Sequence, residues 1–308
     1  MGRYIIKRII AGLITMFVLT TVTFFLMHAI PGGPFSPAEE RKVPKAVMEK
    51  VQEKYGLNDP VPVQYVNYLK NLAQGDFGIS FKQTSVTVNE LIEQGFPVSA
   101  KVGLIAIIVA LLVGIPLGIT SAIKRGKWAD WLSMIIATVG ISIPNFVLSV
   151  LLLFLFAVVL KILPTFGLTS WQHYILPVTC LAFSPIAYIA RLMRSSMLEV
   201  MRYDYIRTAR AKGVHELQVI CKHALKNAII PIVTYLGPLV AILLTGSFVI
   251  ERIFSIPGIG RDFVSSISDR DYSVILGMTV FFGAFIVICN IIVDILYAVI
   301  DRRIKIDE

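Results

Sequence analysis

The chain has 308 residues, of which 56% are hydrophobic and only 16% charged, and its formal net charge is +9. Soluble domains have about a quarter of their residues charged, whereas the apolar residues here form blocks of about twenty or more, which a water-soluble core does not absorb. The composition excludes a soluble enzyme as the leading interpretation and predicts an all-α integral membrane protein.

The positive charge invites a nucleic-acid interpretation, because a basic balance often marks phosphate binding. Here the basic residues gather at the ends of apolar segments, where the positive-inside tendency and anionic lipid place them. The expected partner is therefore membrane lipid and not nucleic acid. The cysteines Cys180, Cys221 and Cys289 are scattered singly, so we expect neither a disulfide framework nor a metal site.

The first element is a short basic stretch, residues 1–8, followed by an apolar run from Ile9 to Ile30. A signal peptide is the competing interpretation, but the run is about twice the usual length of a signal core and leads into Pro31-Gly32-Gly33-Pro34 instead of a cleavage site. Residues 1–30 are therefore predicted to form a cytoplasmic N-terminus and an uncleaved first transmembrane helix, with His28 at the outer interface.

Residues 31–97 are rich in charges and turn residues and are predicted to form an external loop with a small cap. Helices are expected at residues 45–54 and 63–72. The basic residues of this segment do not oppose an external position, because long loops are translocated with little regard to charge. Such a surface would suit a delivery protein on the outside.

Residues 98–308 are predicted to form a core of five further transmembrane helices, so the total is six, with both termini cytoplasmic. Gly114 and Gly118 permit close helix approach, and the intervening Pro116 makes a kink or gate an alternative. The third span is too long for one straight crossing, and either a bend at Pro144 or an amphipathic lead-in before the span proper is expected. The five spans are predicted at residues 102–123, 131–160, 173–190, 229–250 and 274–300.

A polar stretch from Arg191 to Ile230 interrupts the second half of the chain. A helix-forming run of small and basic residues ends at Gly213, and a second helical run follows, which predicts two short helices with a sharp corner at that glycine. Only Glu199, Asp204 and Glu216 oppose its basic residues. These basic residues are Arg191, Arg194, Arg202, Arg207, Arg210, Lys212, Lys222 and Lys226.

This stretch resembles the cytoplasmic loop of the inner-membrane permease subunits of ATP-binding-cassette (ABC) importers. The family pattern is Glu-Ala-Ala, three residues, Gly, nine residues, Ile, any residue, Leu, Pro. Ala209, Gly213 and Leu225 occupy matching places. The chain departs from the pattern at four positions, which are Arg207, Thr208, His223 and Lys226.

The resemblance extends over the whole chain and is to the oligopeptide/dipeptide permease family, within which the B-type subunits of oligopeptide permeases are most similar. It is carried further by four short motifs, Pro31-Gly32-Gly33-Pro34-Phe35, Gly75-Asp76-Phe77-Gly78, Pro257-Gly258-Ile259-Gly260 and Arg270-Asp271-Tyr272-Ser273. The resemblance implies the type I ABC importer permease fold in a multi-pass protein of the bacterial cytoplasmic membrane. It also implies oligopeptide import, with dipeptides, nickel chelates or glutathione as alternative substrates.

The resemblance implies four kinds of partner: a second homologous permease in a heterodimer, two ABC ATPase subunits, an external peptide-binding protein and membrane lipid. ATP and Mg would be held by the ATPases, and this chain would hold no cofactor. The coupling loop would comprise residues 195–228. Its ATPase-docking residues would be Arg207, Thr208, Ala209, Arg210, Ala211, Lys212, Gly213, Val214, His215, Glu216 and Leu217.

Three polar residues in the predicted spans are candidates for the translocation pathway or for bracing helix contacts, because buried polar groups in a membrane are costly. They are Asn145, Asn290 and Asp294, and bracing is the favoured role for the last two, which lie four residues apart on one helical face.

Motifs for chemistry are scarce in the sequence. There is no Gly-x-x-x-x-Gly-Lys-Ser/Thr run that would bind nucleotide phosphates, and the Ser-x-x-Lys match from Ser121 to Lys124 has no supporting motif. We therefore predict no catalytic residue. An ion-coupled secondary transporter and an intramembrane enzyme are the alternatives from other classes.

Overall fold

The computed structural model describes residues 2–29, 56, 59–83 and 86–300. The predicted helix at 45–54, the Pro31–Phe35 motif and the predicted cytoplasmic tail at 301–308 lie outside these residues. Secondary structure in the described part is helical, with an isolated bridge between Ile79 and Thr87. The helices in chain order are α1 (Gly2–Ala29), α2 (Val61–Ala73), α3 (Val88–Ile123), α4 (Trp128–Ser142), α5 (Asn145–Leu153), α6 (Gln172–Val200), α7 (Asp204–Ala211), α8 (Glu216–Gln218), α9 (Leu225–Ala228), α10 (Ile230–Leu244), α11 (Phe248–Ile253), α12 (Ile259–Asp269) and α13 (Tyr272–Ile300).

Within the described residues, five helical stretches are long and apolar enough to cross a membrane, and a sixth crossing is present if a bent helix pair is counted as one span. The pair is α4 and α5, the latter continued by a π-helical segment, Phe154–Val159, and it is bent by 103°. The bend falls beside Pro144, as predicted, because proline ends helical hydrogen bonding there. The five straight candidates are Ile6–Ala29, Val88–Ile123, Gln172–Val200, Ile230–Ile253 and Tyr272–Val293.

Several helix boundaries differ from the sequence-based prediction. Helix α3 begins at Val88, inside the segment expected to be external loop, and continues through Pro97. Helix α6 continues to Val200, well past the expected end at Ala190, because Met193, Met197 and Val200 are buried apolar residues on its inner face. The region expected to be a loop after residue 251 contains α12, whose buried residues recur on one side of the helix.

The structure has two compact units, one made of the described parts of residues 1–98 and 257–308, and the other of residues 99–256. In the first unit α1 packs along α13, where Gly12 faces Val287 and Gly283 faces Leu19. Helix α2, predicted at 63–72 and found there, is joined to α1 by a 2.6 Å hydrogen bond between the Tyr65 and Thr21 hydroxyls. His28, expected at the interface, is exposed and its Nε2 lies 3.1 Å from Gln64 Oε1 on α2.

The first unit also brings together two motifs that are far apart in the sequence. Asp271 is buried at the start of α13 and accepts hydrogen bonds from the Ser80 hydroxyl and from the backbone N–H groups of Phe81 and Lys82. Gly78 has φ +103°, and a side chain there would meet Ser273. The Gly75–Gly78 and Arg270–Ser273 motifs therefore form one structural joint.

The second unit is built around α6. Of the five straight candidate spans in the described residues, α6 has the largest share of buried residues. Helix α3 approaches it at Gly114 and Gly118, and α4 approaches it at Gly140. The predicted close approach at Gly114 and Gly118 is thus confirmed, with α6 as the partner helix. The first ten residues of the polar stretch, 191–200, are the last turns of this central helix.

Candidate functional site

The polar stretch leaves helix α6 at Val200. A turn through Met201 and Arg202 follows, in which the Tyr203 N–H donates to the Val200 carbonyl at 3.1 Å. Tyr203 has extended backbone angles (φ −68°, ψ 147°), so the chain leaves the axis of α6 before α7 starts at Asp204. Ile206 and Ala209 are buried, so one side of α7 is anchored and the other faces outward.

The corner after α7 is formed at Gly213, as the sequence predicted. Its φ is +76°, and its N–H donates to the Arg210 carbonyl at 2.9 Å, while the Val214 N–H donates to the Ala209 carbonyl at 3.2 Å. This pair of bonds is the Schellman motif, in which a residue in the left-handed conformation satisfies the last carbonyls of a helix. Glycine adopts that conformation without the steric cost that a β-carbon imposes.

An ion pair closes the corner from the other side. Arg210 donates from Nη2 to Glu216 Oε1 at 2.6 Å and from Nε to Oε2 at 3.1 Å. The bond to Arg210 holds the pKa of Glu216 below its ordinary value, and the same bond raises the pKa of Arg210. His215 caps α8 by accepting from the Leu217 N–H at 3.4 Å. We call residues 204–218 the elbow.

The chain then returns through a second π-helical segment, Val219–Ala224, and α9 to the span α10. Val219, Ile220 and Ala224 are buried. Asn227 on α9 donates from Nδ2 to the Tyr205 hydroxyl on α7 at 2.7 Å. The returning chain is therefore tied to the elbow by a side-chain bond.

The elbow presents nearly all of the predicted docking residues on its surface. Ala209 is buried and Val214 is half-buried, so these two hold the elbow in place. Leu217 is 64% exposed, so its apolar side chain is accessible on the surface of the elbow. The exposed residues are Arg207, Thr208, Arg210, Ala211, Lys212, Gly213, His215, Glu216 and Leu217.

A buried carboxylate lies between the ends of three helices near the elbow. Asp130, in the first turn of α4, is 5% exposed. It accepts hydrogen bonds from Arg194 Nε at 2.6 Å and Nη2 at 2.8 Å, from the Ser121 hydroxyl at 2.5 Å and from the Gly126 N–H at 2.9 Å. Neither Asp130 nor Arg194 was predicted as a site residue, although a lone carboxylate at the start of an apolar run is a recognisable signal.

Residues 114–306 match the family described as binding-protein-dependent transport system inner membrane component, and residues 1–103 match the N-terminal segment of such membrane components. The chain belongs to this family. It is 50% identical over 308 residues to the dipeptide transport system permease protein DppB of Bacillus subtilis strain 168, covering 100% of this chain and 99% of the relative. It is 44% identical over 307 residues to the oligopeptide transport system permease protein OppB of Escherichia coli K12, covering 99% and 100%.

Solved structures of the MetNI methionine ABC transporter in inward-facing conformations share the fold. Two crystal forms give TM-scores of 0.53 and 0.57 at 18% identity, covering 69% of this chain and 97% of the MetNI chain. The predicted type I ABC importer permease fold is thus confirmed. For this transport component the elbow lies between two span-length helical stretches, α6 and residues 230–253.

The other predicted site residues of the transport component are placed apart from the elbow. Asn145 is half-buried at the start of α5, directly after the bend at Pro144. Asn290 is exposed on α13, so bracing through its side chain would need a neighbouring subunit. Asp294 lies on α13, but its side chain is outside the described ones. The Ser121 hydroxyl is occupied by Asp130, which argues against a nucleophilic role for the Ser-x-x-Lys match.

Proposed function

We propose that this chain is a permease subunit of an ATP-driven ABC importer that carries oligopeptides across the cytoplasmic membrane. The observation that carries the proposal is the exposed elbow, held in a defined shape by Gly213 and by the Arg210–Glu216 pair, between two spans. Family membership and relatives that are permeases of oligopeptide and dipeptide transport systems support it.

The elbow has the chemistry of a docking surface for an ATPase subunit. Leu217 offers an apolar side chain to a cleft on the partner, while the exposed cations Arg207 and Lys212 on the elbow suit acidic side chains around it. Arg210 and Arg194 form 2.6 Å ion pairs with carboxylates of this chain, so they shape the surface more than they bind the partner. Arg207 lies 3.7 Å from the Asp204 carboxylate, and both of these side chains are largely exposed, so this contact leaves Arg207 accessible. The cations available for docking are thus a subset of the basic residues.

In the proposed cycle two ATPase subunits bind ATP and Mg and close around them. Their movement pushes the elbow sideways, and the elbow passes the displacement to α6 and α10. The spans rock from inward-open to outward-open, and an external binding protein delivers peptide. This chain supplies the pathway, together with a second homologous permease, and contributes no catalytic group or cofactor. The elbow and both termini lie on the cytoplasmic side.

The proposal is tested by reconstituting the full complex with its ATPases and binding protein in liposomes. We expect labelled pentapeptide to accumulate only with ATP, and a non-hydrolysable analogue to stop uptake. Uptake that continues without ATP hydrolysis would favour an ion-coupled transporter. Mass spectrometry of the ligand that purifies with the binding protein identifies the substrate directly.

Dipeptide import is the second candidate, because identity to the dipeptide permease DppB is 50% against 44% for OppB. A competition experiment separates the two candidates in the same liposomes. Excess unlabelled dipeptide should leave uptake of labelled pentapeptide unchanged if oligopeptides are the substrate. In the reverse experiment with labelled dipeptide, uptake that excess unlabelled dipeptide abolishes and a pentapeptide leaves unchanged would reverse the assignment.

A further inference from the structure

Helix α6 is in unusually close contact with two other helices of its unit. A β-carbon at Gly118 would lie 2.6 Å from the Ala190 carbonyl oxygen, and one at Gly140 would lie 2.7 Å from the Ala187 β-carbon. Glycines at such positions let helix backbones approach closely. At the far end of the same helices, the Lys101 ammonium of α3 lies 5.1 Å from the centre of the Tyr174 ring of α6.

A β-carbon at Gly118 would also lie 3.1 Å from the Arg194 backbone nitrogen, so the Asp130–Arg194 pair joins the helices at this same turn of α6. The two Asp130 oxygens accept four hydrogen bonds in all, two from Arg194 on α6, one from Ser121 on α3 and one from Gly126 in the α3–α4 loop. Each oxygen receives two donors, so the buried charge is fully compensated. A planar guanidinium bonded to both oxygens also fixes orientation, which a lysine ammonium does not.

We infer that the Asp130–Arg194 pair is a latch that makes α3, α4 and the elbow-bearing end of α6 move as one body. The latch lies six residues before the end of α6, so it controls the part of the helix that carries the elbow. With the latch closed, a sideways push on the elbow moves all three helices. With the latch open, the end of α6 moves with the elbow, and α3 and α4 do not follow. The inference rests on the proposed function, and it adds positioning residues for coupling.

The test compares Asp130→Asn, Arg194→Met and the double variant in the complete reconstituted importer. We expect uptake per ATP hydrolysed to fall at least about tenfold in each, and ATP hydrolysis to lose its stimulation by the binding protein. The double variant should be no worse than Arg194→Met alone, because both changes open one latch. Arg191→Met is the matched control, since this exposed arginine of α6 makes a single 3.2 Å bond to Thr138, and it should change uptake per ATP by less than about twofold.

A second measurement reports on the latch without transport. Spin labels at Arg125→Cys and Arg202→Cys, both exposed, are introduced in a Cys221→Ser background of the complete complex. We expect a narrow distance distribution with the latch intact and a broad one in Asp130→Asn.

Three outcomes overturn the latch: unchanged uptake per ATP, equal losses of uptake and ATP hydrolysis that follow the amount of assembled complex, or unchanged distance distributions. Failure of the proposed function is distinct, because then the unmodified importer itself shows no ATP-dependent uptake. The spin-label distances would still decide on the latch in that case.

Discussion

The two stretches of chain that connect the elbow to the spans differ in construction. The incoming arm, α6, is one continuous helix that contains Pro177 and Pro185 but has no proline in its last turns, which bury Met193, Met197 and Val200. The outgoing arm, residues 219–228, is a π-helical segment followed by a four-residue helix, and Pro231 stands at the start of α10. A continuous helix transmits displacement, whereas π-helical segments and helix breaks are where helices yield.

In the proposed cycle, this difference means that the elbow would be driven through one stiff connection and one compliant one. A loop with two stiff arms would resist rotation, because both ends would have to move together. With one compliant arm, the elbow can turn about the end of α6 while the chain remains attached to α10. The experiments below break this arrangement or measure how unequal the two arms are.

The largest effect is expected from breaking the corner that joins the arms. In Gly213→Pro the required φ of +76° is inaccessible and the N–H bond to Arg210 is lost, at a cost of about 3 kcal/mol or more. That figure corresponds to a roughly hundredfold lower population of the native corner conformation. We expect the protein to remain in the membrane while uptake becomes uncoupled from ATP hydrolysis. Uptake and hydrolysis are measured on the same liposomes.

A graded series supplies the control for this substitution. A β-carbon at Gly213 meets nothing within 4 Å, so only the backbone conformation is at stake. Asparagine tolerates that conformation better than alanine, so loss of uptake should increase from Asn to Ala to Pro. Gly75→Ala is matched in φ (+79°), open space and position after a helix, but lies outside the elbow. Equal losses in Gly75→Ala and Gly213→Ala would contradict a special role for the corner.

A smaller but substantial effect is expected from wedging the stiff arm away from α3. In Gly118→Val the new side chain collides with Met193 and with the Ala190 backbone, and overpacking of this kind costs about 1–3 kcal/mol. We expect a lower thermal unfolding midpoint of the purified permease and reduced uptake per ATP. Leu112→Val changes an exposed residue of the same helix and should leave both unchanged. A normal unfolding midpoint in Gly118→Val would show that the helix contact is looser than the structure indicates.

A modest effect is expected from opening the Arg210–Glu216 pair. Both side chains are about half exposed, with 40% and 52% of their surface accessible, so the pair contributes only about 0.2–1 kcal/mol. Because the pKa of Glu216 is lowered from its ordinary 4.5, this contribution is complete above that pH and disappears as the pH falls through the lowered value.

The measurement for this pair is the mobility of a spin label at Lys212→Cys, again with Cys221→Ser. Glu216→Gln should raise the mobility at neutral pH, and the difference from unmodified Glu216 should vanish in strong acid. A difference that persists after Glu216 is protonated would assign the ordering of the corner to Gly213 alone.

Much of the fold followed from local features of the sequence. Apolar block length predicted the spans, Pro144 predicted the bend, and the glycine after a basic helical run predicted the corner at Gly213. In each case a residue determines the conformation of the chain next to it, so the feature can be predicted without knowledge of contacts between distant segments.

What could not be predicted depends on contacts between distant segments. Helix α6 continues past Ala190 because its polar-looking end buries methionines and pairs Arg194 with Asp130, 64 residues earlier. The joint between Ser80 and Asp271 spans 191 residues. In both cases a charged or polar residue suggested a loop. Its buried partner could not be inferred from the spacing of residues along the chain.

The smallest effect is expected from substituting the two tyrosines on either side of the first residue of α7. The two substitutions compare the arms directly. Tyr205→Phe removes the acceptor for Asn227 in the outgoing arm, and Tyr203→Phe removes a donor to Glu199 in the incoming arm. Losing the first bond costs about 0.5 kcal/mol, so amide exchange across residues 219–228 should speed up roughly twofold. Exchange at the end of α6 should not change in Tyr203→Phe, because buried packing and the Asp130–Arg194 pair hold that helix. Faster exchange in α6 than in residues 219–228 would mean that the compliant arm is the incoming one.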